Sequence, residues 1–207
     1  MKPLTIFSFP LFFLFGVHGA HIKPNWADED VFGQYQDAWQ SIGAQEGAVY
    51  HLLKASYVDD IGSWGSGFSC VSVRETERNV DEKSVVSEFF FKNKAHGDNI
   101  QTVKEKVKVT KHFDYKSTNN AIQYVDAEQT LIDPIAYTDK SCDIIYAPYA
   151  NGQQGGYELW VHDNDIDNVP AHCTYLFMIL APKDATVNDV YNKKKCEEVV
   201  KMVKGSK

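Results

Sequence analysis

The chain contains no run of about 20 apolar residues such as a membrane helix requires. It has no Cys-x-x-Cys pair, no Gly-x-Ser-x-Gly or Gly-x-Gly-x-x-Gly string, no His-Glu-x-x-His and no Asn-x-Ser/Thr sequon. These absences leave zinc-knuckle, thiol-redox, hydrolase-elbow, dinucleotide-binding, zincin and N-glycosylation readings without support. Basic charge is also scarce. Lys and Arg number 21 against 28 Asp and Glu, a net charge of −7, and that sign works against nucleic acid as a partner.

What is present begins with Lys2, an apolar run over 4–15 and the small residues Gly16, Val17, Gly19 and Ala20. This is the pattern of a secretory signal peptide over 1–20, with cleavage after Gly19 or after Ala20 both fitting. The remainder, 21–207, has the length of one domain, and loss of Lys2 takes its balance to −8. Four cysteines, Cys70, Cys142, Cys173 and Cys196, make an even count that suits two disulfides in an oxidising compartment. The residues alone leave all three pairings open.

Tyr35, Trp39 and Ile42 recur at helical spacing and predict a short N-terminal helix over 36–42. From Val49 onward, short β-rich runs alternate with turn residues. The predicted strands cover 49–57, 68–73, 85–92, 101–113, 121–125, 130–136, 143–147 and 157–162. Eight strands at hairpin spacing, with no intervening long helices, argue for an all-β antiparallel meander closed into a barrel. The segment before Pro170 reads as the start of a helix that Pro182 ends, and a second helix is predicted over 186–195. The lysine-rich tail beyond Cys196 reads as frayed.

Within those strands the placement of acids is unusual. In Val-Lys-Glu-Lys-Val-Lys-Val over 103–109, Glu105 shares its two-residue phase with Val103, Val107 and Val109, while the lysines take the other face. That predicts a carboxylate on a buried face. Asp133 repeats the pattern beside Leu131 and Ile135, Asp143 beside Ile145 and Ala147, and Glu158 beside Trp160. The faces carrying these acids supply almost no Lys or Arg. Burying an unpaired carboxylate is expensive, so the group is paired, protonated or left for a cation from outside. An eight-stranded barrel can hold one small ligand, and rings such as Trp64, Tyr124 and Trp160 suit the flat body of a small cation.

Paired acids could also serve a glycosidase, but that chemistry needs an open cleft for a polymer. A fatty acid or leukotriene would want interior Arg or Lys. A host-protein binder using the barrel as inert scaffold is a further alternative. No metal, cofactor or catalytic group is called for, and the chain reads as a monomer.

The strings Asp37-Ala38-Trp39-Gln40-Ser41, Trp64-Gly65 before Phe68-Ser69-Cys70-Val71, Asp81-Glu82-Lys83-Ser84, Ala136-Tyr137-Thr138-Asp139, Cys142-Asp143-Ile144-Ile145-Tyr146 and Gly156-Tyr157-Glu158-Leu159-Trp160 resemble the tick salivary histamine-binding proteins, a group of divergent lipocalins. The likeness runs from about Trp26 to Cys196, although the usual lipocalin Gly-x-Trp signature is not cleanly present. It implies a secreted, eight-stranded lipocalin barrel that sequesters histamine, with disulfides Cys70–Cys196 and Cys142–Cys173. It implies a main amine site from Tyr57, Asp60, Trp64, Glu105, Tyr124, Asp133, Glu158 and Trp160. Two pocket phenylalanines of the family are replaced by Ile122 and Leu131. The family's second site is matched at Ser41 and Asp143, but its helical acid is replaced by Gln45, with Glu46 turned about 100° away around a helix. One bound amine is therefore expected, and a repacked second site could take a larger amine such as serotonin.

Overall fold

The computed structural model describes residues 23–60, 62–125 and 131–205. The segment read as a signal peptide lies outside them. Eight strands form the wall: β1 Val49–Ala55, β2 Ser69–Asn79, β3 Ser84–Lys92, β4 Gln101–Thr110, β5 Ala121–Tyr124, β6 Ile132–Thr138, β7 Cys142–Ala147 and β8 Gly156–His162. Each pairs antiparallel with its sequence neighbour, and β8 returns to β1 with Tyr50 opposite His162 and Ala55 opposite Glu158. The result is a closed up-and-down antiparallel barrel of the lipocalin type, which leaves the eight strands no free edge.

All eight predicted strands are present with shifted ends. The largest shift is in β2, which continues six residues past Val73 through Arg74-Glu75-Thr76-Glu77-Arg78-Asn79. Cross-strand partners on β3 hold this charged extension, with Glu75 opposite Ser87 and Thr76 opposite Val86.

At the N-terminus the helix predicted over 36–42 is present as α2 Ala38–Ile42, and it is preceded by an unpredicted α1 Glu29–Phe32 and a 3-10 turn at Gly33–Tyr35. Asp28 caps α1 and Asp37 caps α2 by accepting backbone N–H bonds. Helix α2 buries Ala38, Ser41 and Ile42 against the barrel interior. Arg78 of β2 secures it by donating from Nε to Gly43 O, with its guanidinium 5.0 Å from the Trp39 ring.

Helix α3, Ala171–Leu180, follows Pro170 and stops before Pro182 as predicted. It packs on the outside of the barrel, where Phe177 is wholly buried in a cluster with Ile144 and Leu159. The helix predicted over 186–195 does not form. Asn188–Asp189 instead adds a two-residue strand to β1, pairing with Ala55 and Lys54.

Beyond Cys196 the chain forms a helix instead of fraying over the described residues. Helix α4, Glu197–Val203, buries Val199 and Val203 against Val49, Cys70 and Phe90. Burial of those two valines contributes about 1.5–3 kcal/mol each, enough to outweigh the charge of the surrounding lysines. The disulfides are Cys70–Cys196, which ties α4 to β2, and Cys142–Cys173, which ties α3 to β7.

Candidate functional site

The side chains that alternate inward enclose two adjoining cavities. The outer one has about 100 Å³ of free volume and is lined by Gly62, Ser63, Trp64, Phe89, Phe91, Val103, Glu105, Tyr124 and Leu131. The inner one has about 40 Å³. Its acids are Glu75, Asp133, Asp143 and Glu158, and its other lining includes Ser41, Tyr50, Val73, Val107, Ile122, Ile145 and Trp160. Phe89 and Tyr124 line both and form the partition. No Lys or Arg lines either cavity among the described residues.

The valine face of β4 is buried only at one end. Val107 is 1% exposed but Val103 is 40% exposed, because β4 rises toward the rim of the outer cavity. Glu105 is therefore half-buried and not enclosed, which corrects the phase reading. Its place on the inner face and the solvated lysines at 104, 106 and 108 are as that reading has them.

Glu158 is the most heavily bonded acid of the interior. Its Oε1 accepts from the Tyr57 hydroxyl and, at 3.2 Å, from Trp64 Nε1; Oε2 accepts from Trp160 Nε1 at 2.7 Å. Burial raises its pKa above the ordinary carboxyl range, and these three donors oppose the rise. Tyr57 reaches this position because Gly156 has no side chain. A Cβ there would lie 2.3 Å from the Tyr57 ring. Trp64 packs edge-on against Phe89, Phe91 and Trp160, with centroids 5.2, 5.5 and 6.2 Å away, so Glu158 sits in a rigid aromatic frame.

Asp133 is buried, with Oδ2 accepting from Tyr149 at 3.0 Å and Oδ1 lacking a hydrogen bond. Tyr124 is near enough to ease its charge but closes no bond to Oδ1. Burial, then the charge of Glu158, holds its carboxyl well above the usual range. Asp60 stands apart from both cavity linings. Its Oδ1 accepts from the backbone N–H of Gly62 and Ser63, its Oδ2 is buried and unbonded, and burial raises its pKa. Tyr57 likewise touches the site through Glu158. The eight residues of the expected main site thus divide into Glu105 and Trp64 outside, Asp133, Glu158 and Trp160 inside, Tyr124 between, and Tyr57 and Asp60 behind.

At the other end of the inner cavity, Ser41 of α2 donates to Asp143 Oδ2 at 2.9 Å, and Tyr50 donates to Ser41 O. Asp143 Oδ1 has no hydrogen-bond partner, and Thr138 approaches it without closing one. Gln45, by contrast, is exposed beyond the end of α2 and reaches neither cavity, as does Glu46. The second carboxyl comes instead from Glu75 of β2, which the sequence reading missed. Glu75 is buried, and its Oε2 accepts from Ser87 at 2.7 Å. Burial pushes its pKa up to about 8 and that of Asp143 up to about 7. The signal was available: Glu75 continues the phase of Val71 and Val73.

Two other clusters have structural roles. Asp139, Cys142, His172 and Cys173 lie close enough to hold a metal, but both sulfurs are joined in a disulfide. Ser72, His51 and Asp163 form a hydrogen-bonded chain of 2.8 and 3.0 Å. Ser72 and His51 are wholly buried in the wall, so no substrate reaches the hydroxyl. With Lys204 on Asp163 at 2.7 Å, the chain anchors the end of α4.

The family described as tick histamine binding protein matches residues 26–198. A male-specific histamine-binding salivary protein of Rhipicephalus appendiculatus is 35% identical over 184 residues, covering 86% of this chain and 90% of that protein. A female-specific histamine-binding protein 1 of the same tick is 38% identical over 170 residues, covering 82% and 86%. Among solved structures, a serotonin complex of AM182 shares the fold, with a TM-score of 0.54, 20% identity and coverage of 77% of this chain and 91% of that one. With its closed eight-stranded barrel, its acid-lined interior and a family match across most of its length, the chain belongs to the tick histamine binding protein family.

Proposed function

We propose that this chain is a secreted, monomeric, single-domain lipocalin, residues 21–207 after loss of 1–20, that sequesters histamine by stoichiometric binding rather than turnover. The observation that carries this reading is that, among the described residues, no basic side chain lines either cavity while five carboxyls do. An ammonium group supplies the missing charge through charge-assisted hydrogen bonds, and an imidazole stacks on the aromatic walls. The histamine-binding relatives support the choice of amine.

The main site centres on the Trp64, Phe89 and Tyr124 walls, with Glu105 at the rim and Glu158 behind Trp64. Tyr57 and Asp60 hold Glu158 and the loop that carries Trp64. A candidate second site comprises Ser41 and Asp143, with Glu75 in the role expected of Gln45. Calorimetric titration of the mature protein should give near-stoichiometric histamine binding, weakened at least tenfold by Glu105→Gln or Glu158→Gln. Unchanged affinity in both variants would remove the cavity as the site. A parallel serotonin titration ranks the two amines.

A further inference from the structure

The inner cavity has two polar ends and an apolar waist. At one end Glu75 and Asp143 face the cavity, and at the other Asp133 and Glu158 do. Between them the wall is Val73, Val107, Ile122 and Ile145. Glu158 stands opposite Ile145 across the β7–β8 pairing, and Asp143 lies two residues further along β7. At about 3.4 Å per residue, the two ends are therefore about 7 Å apart along the strand. Each end carries a buried aspartate oxygen with no hydrogen-bond partner, Asp143 Oδ1 and Asp133 Oδ1. Buried acceptors without donors are rare in folded proteins and are expensive.

Volume separates this cavity from its neighbour. Its 40 Å³ of free volume has room for about three water-sized groups, where one water needs about 10–15 Å³. The outer cavity, at 100 Å³ with Trp64, Phe91 and Tyr124 in its wall, has the breadth for a ring. The inner cavity, at less than half that volume, leaves less room for a ring and takes a slimmer ligand.

We infer that the inner cavity binds a linear aliphatic diamine, with one ammonium between Glu75 and Asp143, the other between Asp133 and Glu158, and the methylenes along the waist. A methylene chain is apolar and slim, and two ammonium groups supply donors to both unbonded aspartate oxygens at once. A monoamine of the same length satisfies one end only. This inference shares with the proposed function the premise that interior carboxylates take ammonium groups. It does not depend on histamine being the ligand of the outer cavity.

The test is calorimetric titration of the mature, disulfide-intact protein with 1,3-diaminopropane, 1,4-diaminobutane and 1,6-diaminohexane, each against the monoamine of equal carbon number. Histamine is titrated separately. The expected result is at least a tenfold preference for the diamine over its monoamine, greatest for the three- or four-carbon chain. Glu75→Gln and, independently, Asp143→Asn should each reduce that preference below threefold. A diamine binding no better than its monoamine, or a preference that rises steadily with chain length, overturns the inference; both readouts use the unmodified protein and so do not depend on a variant folding. Histamine binding without diamine preference leaves the proposed function standing and this inference refuted, and the reverse result does the opposite.

Discussion

The two cavities differ in what surrounds their acids. In the outer cavity one half-buried carboxyl among the described residues, Glu105, stands at the rim of an aromatic box made by Trp64, Phe89, Phe91 and Tyr124. In the inner cavity four buried carboxyls share a narrow space with mostly aliphatic walls. The outer cavity therefore offers aromatic faces for ring stacking and a half-buried carboxyl at its rim. The inner site holds its acids at raised pKa values, so a cation entering there must displace protons. Size and surroundings thus divide one interior into two chemically different cavities.

The largest expected effect comes from removing Trp64, which lines the outer cavity and donates to Glu158 of the inner one. Trp64→Ala deletes an indole that packs on three rings and donates to Glu158, and should cost about 3–5 kcal/mol of stability and at least tenfold in histamine affinity. Urea unfolding and titration of the same variant read both. Equal loss of histamine affinity and diamine preference would show that the cavities act as one.

Protonation separates the two regions next. Glu75 and Asp143 have folded pKa values of about 8 and 7, above those of free carboxyls. The native state therefore binds more protons than the unfolded chain, and stability falls as pH rises from about 5 through 8. Glu75→Gln removes much of that dependence and should make the ligand-free protein more stable than wild type at pH 9, by on the order of 2–4 kcal/mol. Thermal unfolding across pH 5–9 tests this; parallel curves for the two proteins would contradict the burial of an ionisable Glu75.

A smaller effect probes the aromatic difference. Leu131→Phe adds a ring to the outer cavity and should tighten histamine by about 0.5–1.5 kcal/mol, up to about tenfold. Ile122→Phe adds one to the inner cavity and should instead destabilise the protein by about 1–3 kcal/mol through overpacking. Improvement of histamine binding by Ile122→Phe and not by Leu131→Phe would exchange the roles assigned to the cavities. The smallest effect is that of Gln45→Asp. An exposed residue outside both cavities should change stability by less than about 0.5 kcal/mol and histamine affinity by less than twofold.

Much of this barrel was readable from alternation. The strand over 101–110 announces itself because valines and lysines take turns, and the one over 85–92 because its run of valines and phenylalanines is bounded by turn residues. The same rule placed Asp133, Asp143 and Glu158 inside. It failed for β2, whose last six residues are mostly charged or polar and look like a turn, so Glu75 was lost with them. It also failed for α4, where lysines over 193–201 hid the periodic Val199 and Val203. In both places pairing or packing with a distant segment overrode local composition: β3 completes the ladder of β2, and Cys70 holds Cys196 against the wall.

Taken alone, the sequence determined which side chains point inward, since a strand's face repeats every two residues and needs no knowledge of its neighbours. It also determined that the inward acids would meet almost no basic residue. Only the tertiary structure decided which acids share a space. Cross-strand register and barrel closure joined Glu75 of β2 to Asp143 of β7, left Gln45 in solvent, divided six of the eight expected site residues between two cavities and set Tyr57 and Asp60 behind them. Those contacts span up to about a hundred residues, and a two-residue repeat carries no information at that range.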